Sequence, residues 1–174
     1  MSQLISEHYR QQLEELHKPG DWGNTASRSW EHILEQVDRH GANSFLDYGS
    51  GRGFLGKMVE KQRPGQYQVT NYEPGLAGYE NNNTPHDFVV CVDVLEHIEP
   101  ELLENVLDDL QRVTLKAGYF QIAHFESLKT LPDGRNVHLI VEPPEWWEPK
   151  ITSRFNVERK DINSARSLYV VTTK

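Results

Sequence analysis

The sequence predicts an α/β protein, with a doubly wound, mostly parallel sheet, helices on both faces and a C-terminal antiparallel hairpin. Three observations predict it. A short apolar strand at 44–48 runs into the turn Asp47-Tyr-Gly-Ser-Gly-Arg-Gly53, whose alternate glycines open a helix. An unbroken apolar run from Phe88 to Val92, between polar flanks, has the character of a parallel strand buried on both faces. The last two strand-like runs, Phe155 to Lys160 and Ser167 to Thr172, lie close enough in the chain to pair antiparallel.

The other elements follow from periodicity and punctuation. Ile5, Tyr9, Leu13 and Leu16 share one face of an N-terminal helix stopped by Pro19-Gly20, and Trp30, Ile33, Leu34 and Val37 make a second helix ended by Gly41. After the strand at 44–48, a helix runs from Phe54 to Lys61, and the Pro64-Gly65 turn leads to a second strand, Tyr67 to Tyr72. Only Pro74 to His86 connect this strand to the Phe88 run, too few residues for a helix, a strand and another helix, so the sheet is expected to be shortened there. Pro100 suits a first helical position and Glu101 and Glu104 its positive end, while Leu102, Leu103, Val106, Leu107, Leu110 and Val113 recur on one face. A strand at 118–124 and a helix beginning near Pro144 lead to the final hairpin.

A chain of 174 residues of ordinary globular composition is expected to form one domain, 1–174, with residues 1–41 as N-terminal helices and lid and 42–174 as the sheet core. No apolar run approaches the ~20 residues of a membrane span, and the first residues lack the pattern of a secretion signal, so a cytoplasmic location is expected. Cys91 has no internal partner and sits in an apolar strand, as a core thiol does. A net charge of −8 argues against broad nucleic-acid affinity, and Arg112, Lys116, Lys129 and Arg135 read as scattered surface charges. The sequence leaves the oligomeric state open.

The glycine turn is built for close approach of backbone to a cofactor, and two nucleotides suit it. Gly51-Arg-Gly-Phe-Leu-Gly56 satisfies the dinucleotide fingerprint, with Glu73 about the ~20 residues further on that ribose recognition needs. The order D-x-G-x-G-x-G behind a strand, however, resembles the first motif of class I S-adenosylmethionine-dependent methyltransferases, and Asp93-Val-Leu-Glu-His97 after the Phe88 strand resembles their fourth. Tyr72-Glu-Pro-Gly75, Leu131-Pro-Asp-Gly-Arg-Asn-Val-His-Leu-Ile140 and Pro143-Pro-Glu-Trp-Trp147 narrow the resemblance to a compact methyltransferase group of phage and bacterial genomes, over essentially the whole chain.

The resemblance implies a Rossmann-like fold, S-adenosylmethionine as cofactor and S-adenosylhomocysteine as product. It places Asp47, Gly49, Ser50, Gly51 and Gly53 against the methionine part, and Glu73, ahead of Pro74, on the ribose. The strand that would present an adenine-binding residue is missing, so Asp93, Val94 and the loop from Gly75 to His86 are expected to improvise that pocket.

Methyl transfer from a sulfonium needs positioning and an electron-rich nucleophile. His97, after the strand that borders the methyl group, and His138 are the candidate bases, with packing against the next helix as the plain alternative for His97. Asp93, Glu96 and His97, three and four apart on a starting helix, share a face, and with His138 they offer donors for a divalent metal. Similar E-x-x-E-H patterns hold metal in small-RNA 2′-O-methyltransferases and ubiquinone-pathway O-methyltransferases. Arg135, Asn136 and one tryptophan, Trp146, are expected at the substrate side, and Tyr9, His17 and Trp22 in a lid. The expected function is O- or N-methylation of a small molecule without metal. The alternative is metal-assisted 2′-O-methylation of small RNA.

Overall fold

Local sequence and sheet topology agree closely in the computed structural model, which describes residues 2–18 and 23–174. The described residues form helices α1 (Glu7–His17), α2 (Thr25–Arg28), α3 (Trp30–Arg39), α4 (Phe54–Gln62), α5 (Leu103–Val113) and α6 (Pro144–Arg154). The strands are β1 (Ser44–Tyr48), β2 (Gln68–Tyr72), β3 (His86–Val92), β4 (Thr114–Ala123), β5 (Phe155–Ile162) and β6 (Arg166–Thr173). The Pro19-Gly20 stop lies outside the described residues.

The strands form one sheet in the order β2-β1-β3-β4-β6-β5. The first four are parallel, and β6 runs antiparallel to both β4 and β5. β3 pairs directly with β1, so no strand or helix stands between β2 and β3, as the short connection requires.

Strand alternation divides the core. Phe88, Val90 and Val92 face α3 and α4 with Ile33, Leu34, Val37, Leu55 and Val59, whereas Val89 and Cys91 face α5 and α6 with Leu107, Leu110, Trp147 and Ile151. Both faces of β3 are therefore dry, which is why its sequence is an apolar run rather than an alternation. Cys91 is a buried free thiol. A third cluster joins α1 to the loop after β4 through Tyr9, Leu131 and Val137.

Two element starts differ from expectation by three residues or more. Pro100 starts a 3₁₀ turn, Pro100–Leu102, and α5 begins only at Leu103. β4 begins at Thr114, directly after α5, where the Thr114 hydroxyl donates to the Leu110 carbonyl at 2.7 Å. No described helix is long and apolar enough to cross a membrane.

Candidate cofactor and acceptor site

The carboxyl ends of β1, β2 and β3 open into a cleft of about 580 Å³, covered by α1, α2 and the loop after β4. Asp47, Gly49, Ser50, Glu73, Pro74, Asp93 and Val94 all line it. Gly51 and Gly53 do not; they shape the turn behind that surface. Gly49 has φ +78°, and a Cβ there would come within 2.3 Å of a Val94 methyl. Gly53, at φ +69°, lies against the Asn71 side chain of β2. The turn thus packs on the exits of two neighbouring strands, a closeness only glycine permits.

Glu73 joins these parts. One carboxylate oxygen accepts the Gly51 N–H and the other the Gly75 N–H, both at 3.1 Å, and His17 Nε2 lies 3.8 Å away. Asp47, 2 % exposed, has its carboxyl pushed up to about 7 by burial and then by the Glu73 charge. Two buried carboxyl groups side by side favour a cation between them.

The loop from Gly75 to His86 does not contribute to the cleft, contrary to expectation. Its own polar groups are used internally: Tyr79 accepts the Glu73 N–H, Asn82 donates to the Asn71 carbonyl and Asn83 donates to Asp109. The wall on this side comes instead from α1, where Leu13 sits so near Gly75 that a Cβ on Gly75 would be 2.5 Å from the leucine Cβ.

At the other end, His97 and His138 meet with ring centroids 4.7 Å apart, close to perpendicular. Each donates Nδ1–H to a backbone carbonyl, His97 to Val137 at 2.7 Å and His138 to Phe125 at 2.5 Å, which leaves the lone pair of a neutral ring on Nε2. Burial, then His138, lowers the His97 pKa to about 4. Tyr9 lines the cleft and donates its hydroxyl to the His97 carbonyl at 2.7 Å.

Donor atoms of Glu96, His97 and His138 lie within 4.8 Å of one another, a grouping able to hold a metal ion. Glu96 is fully buried; one oxygen accepts the Ala123 N–H at 2.9 Å, the other has no hydrogen-bond partner among the described residues, and burial pushes its carboxyl up to about 8. Asp93 does not join them. It has φ +52°, the only positive φ of a non-glycine among the described residues, and its oxygens accept from Gln121 at 2.9 Å and Arg166 at 3.3 Å. The helical spacing argument fails for Asp93 because the following turn, Leu95–His97, starts beyond it.

Three expected substrate residues lie outside the cleft. Trp146 is on the outer face of α6 under the Lys150 ammonium, because Trp147 and Ile151, four apart, take the inward face. Arg135 pairs with Asp133, which in turn accepts from Gln12 of α1. Asn136 is a staple: its oxygen accepts from the Ser127 and His138 N–H groups and its amide donates to the Ser127 carbonyl, so it sets the place of His138 without facing the cleft. Trp22 lies outside the described residues. His17 does line the cleft, beside Glu73 rather than at the imidazole end.

Of the other lining residues, Arg28, Lys129 and Arg166 carry no local sequence signal, but Phe125 does. Phe125 follows a strand end, so the carboxyl-end rule that singled out Asp93 applies to it too. Arg166 reaches the cleft only because β6 sets it opposite Ala123, the last residue of β4.

No protein-family model matches the chain, and no curated protein matches it by sequence. Solved structures do. A 1,6-didemethyltoxoflavin-N1-methyltransferase of Burkholderia thailandensis, solved with S-adenosylhomocysteine and 1,6-didemethyltoxoflavin, superposes with a TM-score of 0.65 at 18% identity, over 100% of this chain and 93% of that one. An N-methyltransferase of Bradyrhizobium japonicum in complex with S-adenosylhomocysteine gives 0.60 at 13% identity, over 94% and 98%. A SAM-dependent methyltransferase of Aquifex aeolicus gives 0.57 at 18%, over 93% and 98%. The six-stranded sheet of this chain, short of one strand and closed by an antiparallel hairpin, thus has the fold of the class I S-adenosylmethionine-dependent methyltransferases.

Proposed function

We propose that this chain methylates a small molecule at oxygen or nitrogen, with S-adenosylmethionine as donor and S-adenosylhomocysteine as product. The observation that carries the reading is the pair of buried carboxyl groups, Asp47 and Glu73, at the ends of adjacent strands beside the glycine turn. When bound, the cofactor supplies an activated methyl group on a sulfonium. Its cationic ammonium suits Asp47, whose carboxyl near 7 ionises readily when a cation approaches. Glu73 takes the ribose hydroxyls, Gly49, Ser50 and Val94 border the methionine part, and Arg28, one of the cations on the cleft wall, serves its carboxylate.

The acceptor lies at the imidazole end, against His97, His138 and Phe125. His97 is neutral near pH 7, held by the Val137 carbonyl in the tautomer that accepts a proton at Nε2. The Glu96, His97 and His138 donors support a second reading, in which a divalent cation assists a hydroxyl acceptor. Two of the structural neighbours are named for N-methylation and two carry O-methyltransferase in their names.

Isothermal titration with S-adenosylhomocysteine and with NAD tests the reading. Binding of the first and not the second is expected; the reverse overturns it.

A further inference from the structure

Among the described residues lining the cleft, His17 has both polar atoms of its side chain unsatisfied. Its side chain is 3 % exposed, yet among the described residues neither ring nitrogen has a hydrogen-bond partner, and Nε2 stands 3.8 Å from Glu73, beyond hydrogen-bond reach. A neutral imidazole offers one N–H and one lone pair, and leaving either dry is unfavourable unless a ligand meets it. Glu73 faces it, and Gly23 stands between its ring and the glycine turn, since a Cβ there would meet both His17 Cε1 and Gly51. The ring is held there from behind, since Arg52 Nε donates to the His17 carbonyl at 2.9 Å.

The missing strand gives this placement its meaning. In its absence the β2 end has no neighbour on its outer side, and the loop after Glu73 turns its polar groups inward. The C-terminal half of α1, through Leu13 on Gly75 and His17 on Glu73, fills that side of the cleft.

We infer that His17, with Glu73, forms the ribose subsite, so that α1 replaces the missing strand as the wall of the nucleoside pocket. This rests on the cofactor reading above. A hydroxyl both donates and accepts, so one ribose hydroxyl meets His17 Nε2, the nitrogen nearer Glu73, while its neighbour gives its hydrogen to the Glu73 carboxylate. Either tautomer of His17 is served by a vicinal diol, and no other part of the nucleoside offers two such groups side by side.

The test is a binding cycle on the full chain. Wild type, His17→Ala and His17→Phe are titrated with S-adenosylhomocysteine and with its 2′,3′-dideoxy analogue, with urea midpoints recorded for each. Both variants are expected to bind S-adenosylhomocysteine about tenfold more weakly, and the wild-type penalty for removing the hydroxyls should shrink by the same factor. Phenylalanine keeps the ring volume, so it separates lost hydrogen bonds from lost packing. If the variants bind as wild type does, or lose affinity equally for both ligands, His17 is structural and the inference fails. Failure of wild type to bind S-adenosylhomocysteine at all would instead sink the cofactor reading.

Discussion

Replacing Glu73 by glutamine probes the centre of the cleft. The carboxylate accepts the Gly51 and Gly75 N–H groups through different oxygens, joining the glycine turn to the segment after β2. Glutamine preserves the shape and one acceptor but turns an NH₂ toward the other donor. One charge-assisted hydrogen bond becomes a donor–donor contact, at a cost of about 1–3 kcal/mol in folding stability. Loss of charge toward the ribose costs a similar amount, about 1–3 kcal/mol, a rise of roughly 5- to 150-fold in the Kd for S-adenosylhomocysteine. Titration calorimetry with that ligand and its 2′,3′-dideoxy analogue isolates the ribose part, since the penalty for deoxygenation should be smaller in Glu73→Gln than in wild type. An unchanged penalty refutes ribose binding by Glu73, whatever the stability shows. A second readout follows from the charge: the Glu73 carboxylate helps to raise Asp47, so the pH at which Asp47 ionises should move down in the variant.

Gly49→Ala should destabilise the fold, by about 1–2 kcal/mol for the left-handed backbone plus the clash with Val94. Adding Val94→Ala should recover the clash but not the backbone part in urea denaturation, and equal stability of wild type and single variant would contradict the packing described. His97→Ala and His138→Ala should lower kcat and leave S-adenosylhomocysteine affinity intact; full activity in both would leave positioning alone as the mechanism. Because a base works deprotonated and His97 titrates at about 4, kcat should rise with pH through that region and stay level above it, whereas a limb near ~6.5 would mark a different group. Activity should be indifferent to a chelator. Loss that a divalent cation restores would assign Glu96, His97 and His138 to a metal.

The parts of this molecule that were legible in the sequence are those decided within a few residues. The apolar runs at 44–48 and 88–92 became β1 and β3, the alternate glycines became a left-handed turn, and chain length alone excluded a strand between β2 and β3. Asp47 and Glu73 were readable because a strand's carboxyl end is a fixed place in an open parallel sheet. Tertiary structure decided what depends on a return of the chain. Arg166 enters the cleft through the pairing of β6 with β4, Asn136 is consumed by Ser127 and His138, and Asp93 leaves the Glu96 cluster for Gln121 and Arg166. His17 lies beside Glu73, 56 positions apart in sequence, because the C-terminal half of α1 packs on the segment after β2. Periodicity specifies which face of a helix is apolar; the surface that face meets is set by contacts between distant segments, which no local pattern encodes.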